Sequence, residues 1–160
     1  MIIEDNVKEW LTSEDMIREV KYDENAEFHF IVEFPKDNII DVVQPKNSDC
    51  IIIACATQVA DEHKALMMNS DPIVRKDFLS VLNMSLNSFL VDFEVQINND
   101  ILQNFVVTDQ IFEDGLTKNE LIRTLKKVFK AKLQCIWLIN KTFVDANINA
   151  VPSNENDMFI

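Results

Sequence analysis

Two histidines and three cysteines are the residues of this 160-residue chain best suited to chemistry near neutral pH. No Ser-His-Asp or Cys-His arrangement can close without His29 or His63. His29 lies between Phe28 and Phe30 in a strand-like run, where an imidazole reads as a structural residue. His63 follows Asp61 and Glu62 at a helix start. Adjacent residues on a helix diverge, so these three make a poor chelate and read as a solvated first turn whose acids suit the helix dipole. Cys50 and Cys55 have opposite parity in one strand, so their thiols point to opposite faces and cannot pair. Cys135 lies near the margin of a helical apolar stripe. All three read as small core fillers. An odd cysteine count without C-x-x-C suits a reducing compartment. One glycine, Gly115, cannot build G-x-x-x-x-G-K or G-x-G-x-x-G. Carboxylates are abundant, but no pair is singled out. The expectation is no catalytic residue, no cofactor, no metal and no enzyme.

The elements that must position these residues follow from periodicity. Ile3, Val7, Trp10 and Leu11 predict an amphipathic helix over 2–13. Met16–Tyr22 alternates as a half-exposed strand or a frayed helix end, and the strand is the preferred reading. After the turn Asp23-Glu24-Asn25, the strand Ala26–Phe34 places Phe28, Phe30, Val32 and Phe34 on one face and stops at Pro35. Ile39–Val43 is a third strand ending at Pro45. Cys50–Val59 is apolar on both faces, which predicts a central strand covered on both sides or one passing beneath a helix. Asp61–Met68 is helical, and Ser70-Asp71-Pro72 restarts a second helix with a cap and a proline at its first position. That helix carries Val74, Phe78, Val81, Leu82, Phe89 and Leu90 as one stripe and ends near Val91. Asp92–Ile97, with Phe93, Val95 and Ile97 inward, turns at Asn98-Asn99-Asp100 and returns as the strand Ile101–Phe112.

The chain then turns on Asp114-Gly115. Thr117 and Glu120, at capping-box spacing, launch the main helix, which runs to Ala146. Its apolar arc is Leu121, Ile122, Leu125, Val128, Phe129, Leu133, Ile136, Ile139 and Phe143, and Lys132 falls inside the arc as a residue expected to snorkel. Residues 1–146 form one α+β domain, an antiparallel sheet with helices packed on it; residues 147–160 read as a loose, polar tail.

The formal charge is −12 with pI near 4.5, which disfavours nucleic acid and anionic membrane as partners. The start of the chain lacks the pattern of a signal peptide, and no run approaches the roughly 18 apolar residues of a membrane span, so a cytoplasmic protein is expected. The charge is uneven. Residues 1–117 hold 8 Lys/Arg against 23 Asp/Glu, whereas residues 118–141 hold 7 against one. Arg123, Lys126, Lys127, Lys130 and Lys141, with Trp137 among them, project to one side of the last helix and are the candidate interface. Two readings stand: a solvated face balancing an acidic body, or a docking site for an acidic partner, either a second copy or a client segment.

Trp10-Leu11 on the first helix, the Phe28-His29-Phe30 strand, Val42-Val43-Gln44-Pro45 before the apolar Cys50–Val59 run, and Asp114-Gly115-Leu116-Thr117 before the last helix together resemble an uncharacterised, largely archaeal protein family of unknown function. That family is similar to the type III secretion chaperone-like superfamily, of order α-β-β-β-α-β-β-α. The strand at Met16–Tyr22 is additional to that order. The resemblance implies small, acidic, cytoplasmic homodimers that hold client polypeptide against sheet and helices, and it transfers no individual binding residue. The resulting expectation is a non-catalytic, chaperone- or adaptor-like protein-binding homodimer. The alternatives are an enzyme using scattered carboxylates or a regulatory or structural subunit of a larger complex.

Overall fold

The computed structural model describes residues 3–145. Helix α1 (Ile3–Ser13) leads into four strands, β1 (Ile17–Val20), β2 (Ala26–Glu33), β3 (Ile39–Pro45) and β4 (Cys50–Gln58). Helices α2 (Asp61–Met68) and α3 (Pro72–Ser88) follow, then the hairpin β5 (Asp92–Asn98) and β6 (Ile101–Phe112), and finally α4 (Lys118–Ile139). The strands form one sheet in the order β1-β2-β3-β4-β6-β5, and every pairing is antiparallel. The fold is the expected α+β arrangement, with β1 as the extra edge strand. Strand β1 is shorter than the expected Met16–Tyr22, and β3 continues past the expected Val43 to Pro45.

All the described helices lie on one face of the sheet, because only alternate strand residues join the core. Phe28, Phe30 and Val32 of β2, Ile51, Ile53 and Cys55 of β4, and Phe105, Val107 and Ile111 of β6 are buried against Val7 and Leu11 of α1, Leu82 and Leu86 of α3 and Leu121, Leu125 and Val128 of α4. Sealing this single face is the main driving term for the fold. The period of two places Cys55 inside and Cys50 on the opposite face, as expected. Strand β4 does pass beneath a helix. No second cover lies over its other face among the described residues, where Ile52 and Ala54 are only half-buried.

Local chemistry explains the helix ends. The Asp71 carboxylate accepts from the Ile73 amide (2.8 Å) with Pro72 at the first helical position, and the Thr117 hydroxyl accepts from the Glu120 amide (3.1 Å). The Arg75 guanidinium donates to the carbonyls of Met67, Met68 and Ser70 at 3.1, 3.3 and 2.7 Å, tying the end of α2 to the start of α3.

Four expectations are corrected. Gly115 lies in a short 3₁₀ turn (Glu113–Gly115) without a left-handed φ, and a Cβ there would meet nothing within 4 Å, so the turn does not depend on glycine. The left-handed positions are instead Asp15, Asp37, Asn47, Leu90, Asn99 and Asp100; five of these six are Asp or Asn, whose short polar side chains tolerate that region. On α3, Phe78 and Leu82 are buried as expected, but Val74, Val81 and Leu90 face solvent. Ile97 is also exposed, because the register shifts between Gln96 and Ile97.

The last correction concerns α4. Its buried line runs through Leu121, Thr124, Leu125, Val128, Ala131 and Cys135 to Ile139, whereas Ile122, Phe129, Leu133 and Ile136 are half-buried at the flank. Cys135, expected at the margin, is at the centre of the contact. Small residues allow the helix to come close to the sheet, and a reading that follows large apolar residues misses them. Lys132 does not snorkel to water; its ammonium donates to Asn38 Oδ1 in the β2–β3 turn at 2.6 Å. The helix widens into a π-turn over Asn140–Val144, where Phe143 is buried edge-on against Phe78 with ring centroids 4.9 Å apart. The expected tail, 147–160, lies outside the described residues.

Candidate protein-binding surfaces

The 3.6-residue period of α4 places Arg123, Lys126, Lys130 and Trp137 on one narrow line opposite the buried one, and Lys141 extends it on the π-turn. All five are exposed, Trp137 at 59%. Among the described residues no carboxylate pairs with any of the four cations. Lys127 leaves the line: it is turned toward the sheet, where its ammonium meets Asp109 of β6 at 2.5 Å. Five of the six candidate interface residues thus share a line, and the sixth is an internal tie between layers.

Helix α3 has a surface that periodicity alone did not isolate. Ile73, Val74, Val81 and Met84 are exposed on the side away from the buried Phe78, Leu82 and Leu86, with only Asp77 charged among them. Met68 at the end of α2 and Leu90 after α3 add to the same set of exposed large apolar residues. Scattered exposed aliphatics are ordinary, but a concentration on one helix is a recognition feature. Leu90 is the telling member. Its φ is 58° and it is 83% exposed, so a bulky side chain occupies a position after the helix end where glycine is the usual residue. A left-handed leucine is strained by about 1–2 kcal/mol. The signal was present in the sequence as Val74, Val81 and Leu90, but a core-directed reading assigned them inward.

His29 proves to be part of a small ionic cluster. Its ring is 8% exposed on the face of the sheet opposite the helices, with Nδ1 3.2 Å from Asp23 Oδ2 and Nε2 2.6 Å from Asp41 Oδ1. The Asp23 carboxyl is held below the usual carboxylate range, first by the Asn25 amide that donates to it and then by His29. Both ring nitrogens face carboxylates, which fixes the orientation of the ring. The register supplies the missing sequence signal: His29 is opposite Val43, so Asp41 is its diagonal neighbour across the β2–β3 hairpin. His63 is half-buried in the first turn of α2.

The buried thiols suit packing. Burial raises Cys55, and the same desolvation pushes Cys135 up to about 12. Among the described residues no group of three or more His, Cys, Asp or Glu side chains is placed to hold a metal ion, and no helix is long and apolar enough to cross a membrane.

The sequence profile of DUF2299, an uncharacterized conserved protein family, matches residues 3–139. No curated protein matches the chain. Among solved structures, an uncharacterized protein from Methanothermobacter thermautotrophicus is 41% identical, with a TM-score of 0.86 over 89% of this chain and 99% of that one. A chain of the ExsC–ExsE complex is 15% identical with a TM-score of 0.53, covering 86% of this chain and 97% of its own. YbjN, a putative transcription regulator from E. coli, is 14% identical with a TM-score of 0.47 over 91% of each chain.

Proposed function

We propose that this chain, which belongs to the uncharacterized conserved protein family DUF2299, is a non-catalytic, cytoplasmic protein-binding module of chaperone or adaptor type that works as a homodimer. The observation that carries the reading is the exposed apolar side of α3, and the strained, exposed Leu90 after the helix end adds to it. Strain at an exposed apolar residue persists where the side chain is needed in that position. A second copy is the partner that suits this face. Two chains of charge −12 repel, and Asp77 is the only acid among Ile73, Val74, Val81 and Met84. The same patch on both partners closes as a two-fold pair.

The line Arg123, Lys126, Lys130, Trp137 and Lys141 then serves an acidic partner protein, with the indole as an anchor among exposed cations. Fold likeness to a chain of the ExsC–ExsE complex supports a protein-binding role in general terms only.

Tandem purification of the native protein, followed by mass spectrometry, tests the partner-binding half. The triple variant Arg123→Glu, Lys126→Glu, Lys130→Glu is expected to lose the co-purifying protein while keeping the wild-type circular dichroism spectrum. Lys127 is left intact because its pairing with Asp109 is structural. An unchanged set of co-purifying proteins would remove the stripe from the account.

A further inference from the structure

The second face of the sheet has a chemistry of its own. The six strands contain seven carboxylates, one arginine and no lysine. Asp109 faces the helices and pairs with Lys127. The other six, Glu19, Glu27, Glu33, Asp41, Asp92 and Glu94, all belong to the face that none of the described helices covers. Arg18, the one strand cation, is already bonded to Glu33 at 3.1 Å, and Asp41 is taken by His29.

Inside this rim aliphatic side chains sit beside polar ones. Val43 pairs across to Ile52 and Val106 to Ala56, Ile31 and Ala54 flank Asp41, and Thr108 and Gln110 follow on β6; Ile31, Val43, Ile52, Ala54 and Val106 are each half-buried. Glu19 pairs across to Ile31 at one edge, and Glu94 pairs across to Val106 at the other. From β1 to β5 the sheet crosses five inter-strand spacings, or about 24 Å. Strand β4, apolar on both faces, is the kind of strand found where a sheet is covered twice, and this chain's described residues supply one cover.

We infer that this open face binds a polypeptide segment with an aliphatic middle flanked by Lys or Arg residues about 20–24 Å apart, the cations meeting Glu19 at one edge and Asp92 and Glu94 at the other. The inference rests on the protein-binding reading and names the chemistry of a second partner surface. Charge sorts the occupants. Residues 146–160 carry Glu155 and Asp157 and no Lys or Arg, so the rim repels the chain's own C-terminal residues. The cationic line of α4 is complementary, but it lies on the helix side of a two-layer molecule; copies joined through it would propagate head to tail and not close as a pair.

The test uses the full chain and a fluorescein-labelled peptide of about twelve residues, with valine and serine alternating in the middle and lysines at both ends. A counterpart carries glutamates in place of the lysines. Fluorescence anisotropy is expected to show binding of the lysine peptide only, weakened by added salt. The double variant Glu19→Lys, Glu94→Lys changes two exposed rim residues, so it is expected to fold and to bind at least about tenfold more weakly. Lys126→Glu, Lys130→Glu is expected to bind as the wild type does.

No binding of the lysine peptide, equal binding of both peptides, or no effect of the rim variant would overturn the inference. So would about tenfold tighter binding in Met158→Ser, Phe159→Ser, which would give the face to the chain's own C-terminal residues. A rim variant that changes the oligomeric state would give it to a second copy. A monomeric wild type, or α3 variants that stay dimeric, with the lysine peptide still bound would instead defeat the homodimer reading and leave this inference standing.

Discussion

At the scale of single residues, the side chains that bend the backbone are not the ones a glycine search finds. Because Gly115 has no left-handed φ and open space at its Cβ position, Gly115→Ala is expected to raise stability by about 0.4–1 kcal/mol through the unfolded chain, measured by urea denaturation. A loss of stability would show that the glycine is required after all. The residue-level reading of His29 as structural agrees with its burial, but the Asp23 and Asp41 partnership was invisible because it depends on register. That cluster predicts a pH effect. The folded pKa values of Asp23 and Glu33 lie below their ordinary values of 3.8 and 4.5, the latter because the Asp37 amide and then Arg18 bond its carboxylate. Such groups contribute stability above the ordinary value and lose it as pH falls through the lower folded one. Thermal melts should therefore fall off below about pH 4, and Asp23→Asn should flatten that acid limb; an unchanged limb would contradict the assignment.

At the scale of elements, the boundaries of α1, β2, β4 and β6 were legible to within a residue or two, because hydrophobic period, proline and caps agree there. Which way each helix rolls was harder to read. On α4 the large apolar residues mark a broad arc, but contact with the sheet runs through Thr124, Ala131 and Cys135, which carry little hydrophobic signal. Closeness of approach is a tertiary property, set by what lies opposite. Ala131→Leu is expected to overpack that contact and destabilise by about 1–3 kcal/mol, whereas Leu133→Ala at the half-buried flank should cause a smaller loss in the same denaturation series. The reverse order would return α4 to the roll the large residues imply. Helix α3 illustrates the same limit: Val74 and Val81 share the apolarity of Phe78 and Leu82, and only the finished packing separates the core side from the side left outward.

At the scale of the whole molecule, two layers leave three surfaces of different chemistry: an aliphatic side of α3, a cationic line on α4 and an acid-rimmed open sheet. The α+β class was readable from the order of elements, whereas the resemblance to a family of chaperone-like fold rested on particular residues, Trp10-Leu11 and Asp114-Gly115-Leu116-Thr117 among them. The acidic sheet face was not readable, because it exists only after alternate residues of six strands are laid side by side. The central proposal is a homodimer through α3, and sedimentation velocity of the full chain tests it. Wild-type protein is expected to sediment as a dimer, and Val81→Lys, Met84→Lys, both exposed in the single chain, as a folded monomer with an unchanged circular dichroism spectrum. A wild-type monomer, or a double variant that remains dimeric, would contradict it.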